Sequence, residues 1–111
     1  MSKKEKIYLA SPVFLAIFLL FFFQIIGLGT TVGTSMLPTI KPNTHVIFLK
    51  QFYPENLTGY IIIFKFNSTF YVCHRVIADN STHVLTKGDN NPVPDGWIKK
   101  DKVIGVIIWH E

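Results

Sequence analysis

The sequence predicts an N-terminal transmembrane helix followed by a small all-β domain of barrel or sandwich type. Three observations carry this reading. A charge-free apolar run lies near the N-terminus, short apolar segments bounded by turn formers follow it, and nothing beyond Thr30 keeps helical periodicity over ten residues. The 111 residues leave room for one small domain once roughly the first thirty are set aside.

The anchor comes first. Ile7–Leu28 is interrupted only by Ser11, Pro12 and Gln24, and as a helix it would extend about 33 Å, enough to cross a bilayer. A cleaved signal peptide has an apolar core of about 7–15 residues ending in small residues. This run is longer, and Gly27-Leu28-Gly29-Thr30 suits cleavage poorly, so a retained anchor over residues 7–28 is expected. Lys3, Lys4 and Lys6, opposed only by Glu5, would hold residues 1–6 in the cytoplasm. Residues 30–111 would then form an extracytoplasmic domain, at the cell exterior or in the endoplasmic-reticulum lumen. The sequons at Asn56, Asn67 and Asn80 fit that side. With Cys73 as the single cysteine, no intrachain disulfide is available and the core alone must hold the domain.

Five strands are expected after the anchor. His45–Lys50 follows the turn Lys41-Pro42-Asn43. Tyr60–Phe66 has the continuous apolar centre Ile61-Ile62-Ile63-Phe64 of a strand buried on both faces. Phe70–Ile77 follows across Asn67-Ser68-Thr69, a hairpin connection. His83–Thr86 is short, and Val103–Trp109 is the fifth. Between the last two, Lys87–Lys102 reads as a long loop rich in Gly, Asn, Pro and Asp, the kind of segment that carries function on a β scaffold.

The charge excludes one class of partner. After Thr30 there are eight Lys and Arg against six Asp and Glu, with no basic cluster beyond Lys99-Lys100-Lys102. Nucleic-acid binding needs a basic stripe or patch, and these lysines read instead as a solvated turn before the last strand.

The residues that carry chemistry are few. Gly33-Thr34-Ser35-Met36-Leu37-Pro38-Thr39 puts a serine in a turn-prone segment, where Gly33 permits unusual dihedrals and Pro38 disfavours a helical Leu37. Serine attacks a peptide only when a base lies within hydrogen-bond reach and donors await the oxyanion. His74, in the strand Tyr71-Val72-Cys73-His74-Arg75-Val76, is the candidate base, because imidazole exchanges its proton near neutral pH. Asp89 and Asp95 share the long loop, and either could orient the imidazole. Taken singly, each of these also suits an ordinary loop or strand residue. Strand alternation points Cys73 away from His74, as a core thiol.

Taken in order, Ser35-Met36-x-Pro38-Thr39, then His74-Arg75-Val76, then Gly88-Asp89-Asn90-Asn91-x-x-x-Asp95 resemble the boxes of type I signal peptidases over about Val32 to Val106. The bacterial branch of that family carries lysine where this chain has His74, so the resemblance is to the archaeal and endoplasmic-reticulum branch. It implies an extracytoplasmic all-β catalytic core, a Ser35, His74 and Asp95 triad, and supporting roles for Asp89 and Arg75. It further implies an acyl-enzyme mechanism on secretory preproteins with small residues one and three before the scissile bond, and no metal or other cofactor. The expected partners are the preprotein, the lipid bilayer and possible accessory subunits. A related protease dedicated to one substrate and an inert anchored β scaffold are the alternatives. The chain departs from the pattern at Gly33, where relatives place a hydroxyl that helps form the oxyanion hole; the Ser35 backbone N–H and Thr34 are the donors left. It departs again at Asn43-Thr44 and Gly59-Tyr60, where relatives show Gly-Asp. From Leu28 to Ser35 the chain can reach about 23 Å, which would set the nucleophile beside the membrane.

Overall fold

The computed structural model describes the backbone of residues 3–111 and the side chains from Ser11 onward. Helix α1 (Lys3–Ile25) is followed by strands β1 (Ile26–Thr30), β2 (His45–Leu49), β3 (Ile61–Lys65), β4 (Tyr71–Asp79), β5 (His83–Lys87), β6 (Gly96–Lys99) and, after a 3-10 turn at Lys100–Lys102, β7 (Val103–His110). Helix α1 stops where β-branched Ile25 and Ile26 give way to Gly27 and Gly29, residues that extend a helix poorly. Its last carbonyls find partners on the segment after β2. Lys50 N–H donates to the Ile25 carbonyl, Lys50 Nζ to that of Phe23 at 3.0 Å, and Gln51 Nε2 to that of Gln24 at 3.4 Å. The ammonium thereby sits at the negative end of the helix dipole.

This ending overturns the expected anchor over residues 7–28. Ile26, Gly27 and Leu28 are not helical but strand, paired with Leu49, Phe48 and Ile47 of β2. Among the described residues no helix is long and apolar enough to cross a membrane. The expected single-pass membrane placement, with residues 1–6 cytoplasmic and residues 30–111 extracytoplasmic, falls with it.

The strands form one seven-stranded sheet of order β1-β2-β7-β3-β4-β5-β6, antiparallel throughout. It is a single sheet with a core on each face, where a barrel or a sandwich was expected. All five expected strands lie within a residue or two of their positions. β1 and β6 are additional: β1 was hidden in the apolar run, and β6 turns the expected long loop into a connection of residues 88–95. On one face Ile62, Phe64, Val76, Val84 and Val106 pack with Leu57, which the β2–β3 connection supplies. On the other, Val46, Ile61 and Ile107 pack with Met36 and Ile40 from the β1–β2 connection. β3 is buried on both sides because each connection covers one face of it.

Leu57 is held by a charged clamp. The Asp79 carboxylate, its side chain 2% exposed, accepts from the Leu57 and Ser81 N–H groups and pairs with Lys100 Nζ at 2.8 Å. Burial acts to raise its pKa, but these donors outweigh it and the net shift is downward. Lys100 also donates to the Glu55 carbonyl, so it departs from the solvated turn expected for Lys99 to Lys102. Lys99 and Lys102 are exposed.

Phe48 explains two glycines. It sits on β2 between β1 and β7, and a Cβ at Gly27 or Gly105 would run into its ring. The ring lies flat across both neighbouring strands only because neither carries a side chain there. Gly105→Ala should therefore destabilise the domain by about 1–3 kcal/mol through overpacking, read from urea unfolding, and Phe48→Leu in the same chain should recover part of the loss. If Gly105→Ala unfolds at the parental midpoint, this account of Phe48 is wrong.

Candidate active site

The Ser35 segment is shaped from its base upward. Thr31 N–H donates to the Thr44 carbonyl at 2.9 Å and Asn43 N–H to the Thr31 carbonyl at 2.7 Å, while both threonine hydroxyls donate to the Lys41 carbonyl. Asn43 takes φ 60°, a left-handed conformation that asparagine tolerates better than most residues. Gly33 takes φ 80°, which a side chain would strain. Past it the chain turns, and Met36 and Ile40 drop into the core at 5% and 2% exposure. Ser35 immediately precedes this anchored turn, so its orientation follows from the burial of Met36.

His74 lies on β4, opposite Ile62 of β3, 7% exposed and with its ring edge-on to Phe64 at 6.4 Å. Its Nδ1 is 2.6 Å from Asp95 Oδ2 and its Nε2 is 3.0 Å from Ser35 Oγ. A carboxylate only accepts, so Nδ1 carries the proton and Nε2 is left to accept from the serine hydroxyl. The structure thus brings Ser35, His74 and Asp95 into one hydrogen-bonded line, from three separate stretches of chain.

Asp95 is fixed by Thr86. The Asp95 N–H donates to the Thr86 carbonyl at 2.8 Å, and Thr86 Oγ1 donates to Asp95 Oδ2, also at 2.8 Å. Thr86 is fully buried and was not among the expected site residues. A signal for it existed: Val84 and Thr86 share the inward face of β5, and a hydroxyl on a buried face needs a partner.

Asp89 lies away from the imidazole. It accepts from Arg75 Nε and Nη2, each at 2.9 Å, and from Thr39 Oγ1 at 2.6 Å, while Arg75 Nη1 reaches the Gly59 carbonyl. The Arg75 hydrogen bond, opposed by burial and aided by Thr39 and by Lys87, lowers the Asp89 pKa; the same bond raises that of Arg75. Asp89 and Arg75 are therefore a brace between β4 and the Ser35 turn rather than parts of the hydrogen-bonded line. Cys73 packs beside Ile63 and Met36, and burial first, with Asp89 nearby, pushes its thiol up to about 11. Such a thiol is protonated at neutral pH and is no nucleophile.

Beside Ser35 and His74 opens a cavity of about 340 Å³, walled by Val32, Met36, Ile40, Val46, Ile63 and Cys73 among others. Of the two expected oxyanion donors, the Thr34 hydroxyl has no hydrogen-bond partner among the described residues, and the Ser35 N–H likewise donates to no protein acceptor there. His45 bonds to Thr30, His83 to Thr82 and His110 to the Glu111 carbonyl, and none of the three bonds to Ser35, His74 or Asp95. Among the described residues no group of three His, Cys, Asp or Glu side chains is placed to hold a metal ion. Comparison with protein-family models, curated proteins and solved structures gives no match to this chain.

Two measurements check this geometry. Because the Asp89 pKa is lowered in the folded state, its contribution is fully present above the ordinary carboxylate range, near 4, and is lost as pH falls through the lower folded value. Asp89→Asn should unfold at lower urea than the parent at pH 7, with the gap closing toward pH 2; a gap unchanged by pH would assign the effect to packing. Thr86→Val, which leaves Asp95 Oδ2 one donor short, should cost about 1–2 kcal/mol, and a parental unfolding midpoint would show the hydroxyl to be idle.

Proposed function

We propose that the chain is a serine endopeptidase of the signal-peptidase type, removing N-terminal signal peptides from secretory preproteins. The single observation that carries the reading is the line Ser35 Oγ, His74, Asp95, with separations of 3.0 and 2.6 Å, at the mouth of an apolar cavity. A serine, an imidazole with its far nitrogen bound to a carboxylate, and an adjoining cavity are the parts that acyl transfer requires.

In this mechanism His74 Nε2 takes the Ser35 proton as Oγ attacks the scissile carbonyl. Asp95 keeps the imidazole in the tautomer that can accept that proton and stabilises the imidazolium that forms. His74 then gives the proton to the departing amine, which leaves as the new N-terminus of the mature chain, and a water activated by the same imidazole hydrolyses the ester left on Ser35 to release the signal peptide as a carboxylate. The oxyanion would be met by the Ser35 N–H, which is not engaged with the protein. The walls of Val32, Met36, Ile40, Val46 and Ile63 suit the small and apolar side chains that precede a signal-peptide cleavage site, and no cofactor enters the scheme.

The test is a cleavage assay with the purified full chain and a preprotein, with the new N-terminus identified. Ser35→Ala and His74→Ala should each lower kcat by about 10⁴-fold or more. Asp95→Asn should cost more than Asp89→Asn, because only Asp95 touches the imidazole. Cleavage by Ser35→Ala at the parental rate would remove the reading.

A further inference from the structure

One residue holds the backbone on both sides of the nucleophile. Asn90 N–H donates to the Ser35 carbonyl at 2.8 Å, and Asn90 Nδ2 donates to the Thr34 carbonyl at 3.1 Å. The Thr34 carbonyl also accepts from Leu37 N–H at 3.2 Å, inside its own turn. The contact with Ser35 is close on the loop side too: a Cβ at Gly88 would lie 2.7 Å from the Ser35 carbonyl oxygen and 2.7 Å from Asn91 Nδ2. Only glycine lets the residue 88–90 backbone approach Ser35 in this way.

The Thr34 carbonyl and the Ser35 N–H belong to one peptide unit. That unit is planar and trans, so the C=O and the N–H point in opposite directions. A donor that pins the carbonyl from one side therefore aims the N–H to the other. Among the described residues the Ser35 N–H has no acceptor, and it is the group nearest to Ser35 Oγ that can meet negative charge developing on an attacked carbonyl. An oxyanion donor stabilises the transition state only if its direction is set beforehand.

We propose that Asn90 is a positioning residue which, through the Thr34 carbonyl, aims the Ser35 N–H as an oxyanion donor. The proposal rests on the serine-peptidase reading of the site. It assigns work to a side chain that bonds to the Thr34 carbonyl and not to His74. It also gives the Asp89–Arg75 brace a purpose beyond stability: Asp89 is the residue before Asn90, and fixing it to Arg75 and Thr39 fixes the point from which Asn90 reaches across. The Asn90 N–H contact survives any side-chain change, so substitution isolates the bond to Thr34.

The experiment uses the full chain with a fluorogenic peptide bearing Ala one and three residues before the scissile bond, and the matching peptide aldehyde, which forms a tetrahedral adduct on serine. Asn90→Asp keeps the shape but puts an acceptor against a carbonyl; Asn90→Ala removes the group. Both should lower kcat about 10- to 100-fold, less than outright loss of a donor, with KM within about twofold. The aldehyde should bind more weakly by the same factor as kcat, while the cleaved product peptide binds as it does to the parent. The pH dependence of kcat/KM should not move, because the His74–Asp95 pair is untouched. Parental kcat in folded Asn90→Asp, or a loss carried by KM and product binding, would overturn the proposal. Near-UV circular dichroism identifies any variant that fails to fold, and Asn90→Asp decides where Asn90→Ala does. A parent as inactive as Ser35→Ala would remove both this proposal and the peptidase reading, whereas an active parent with unaffected Asn90 variants would remove only this one.

Discussion

The site depends on a dipeptide. His74 and Arg75 are consecutive on β4, so their side chains leave the sheet on opposite faces, opposite Ile62 and Ile61 of β3 respectively. Each takes one aspartate of the same short connection: His74 binds Asp95, and Arg75 binds Asp89. One strand thus grips the segment of residues 88–95 at both ends, from both sides of the sheet. β5 pairs with β4 only as far as Arg75 opposite Lys87. Beyond that point the ladder with β5 is over, and the Gly88–Asn90 stretch and the Ser35 turn fill the space beside His74. The end of one strand makes the opening, and the dipeptide next to it furnishes the opening with chemistry.

The two grips differ in kind, and magnitude separates them. Arg75 and Asp89 form a bidentate, charge-assisted pair with a third donor from Thr39, a geometry worth more than the near-zero net value typical of exposed ion pairs. Both side chains are partly exposed, at 32% and 17%, so solvent screens part of that gain. Its effect is chiefly geometric: it fixes a loop whose other contacts are single hydrogen bonds. The His74–Asp95 grip sits where exposure is lower on the imidazole side and where Thr86 supplies the carboxylate's second donor. A carboxylate held by two donors cannot swing toward water, and the imidazole it holds cannot turn its Nε2 away from Ser35.

Much of this was legible from the residues and some was not, for physical reasons. The apolar runs at 45–50, 60–66, 70–77, 83–86 and 103–109 marked strands because alternation or continuous burial leaves a pattern in composition. Ile61-Ile62-Ile63-Phe64 read as buried on both faces, and the two clusters divide there. Ser35, His74 and Asp95 stood out by residue type and order, and they meet in space. β6 escaped because Gly96-Trp97-Ile98-Lys99 is short and follows a tract of Asn, Pro and Asp that masks it. Thr86 escaped because one hydroxyl in a strand looks unremarkable until its strand partner Val84 is seen to be buried. The largest error was the anchor. Ile7–Leu28 is apolar but for Ser11, Pro12 and Gln24, and hydropathy alone does not separate a helix from a helix that runs into a strand. The pairing of Ile26–Thr30 with His45–Leu49 made the difference, and only the fold contains it.

That error bears on the site itself. The stretch read as the end of an anchor and its linker is, in the fold, strand β1 and the wall of the cavity: Gly29, Thr30, Thr31, Val32 and Gly33 line it alongside Ser35 and His74. Gly29 and Gly33 carry no side chain into it, while Ile40, Val46 and Ile63 close it from beneath. β1 is also an edge of the sheet, so its outer backbone groups have no strand partner among the described residues. Hydrogen-bond groups along an edge and an apolar cavity behind it are what an extended peptide requires, the backbone giving affinity and alternate side chains giving selectivity. Gly29, one of the two glycines that follow the helix, therefore leaves room beside Ser35. Enlarging Gly29 would narrow the cavity from its β1 side, whereas enlarging Gly33 would strain a left-handed residue two positions before Ser35. The two substitutions would disturb the site by different routes, the first through the shape of the cavity and the second through the placement of Ser35.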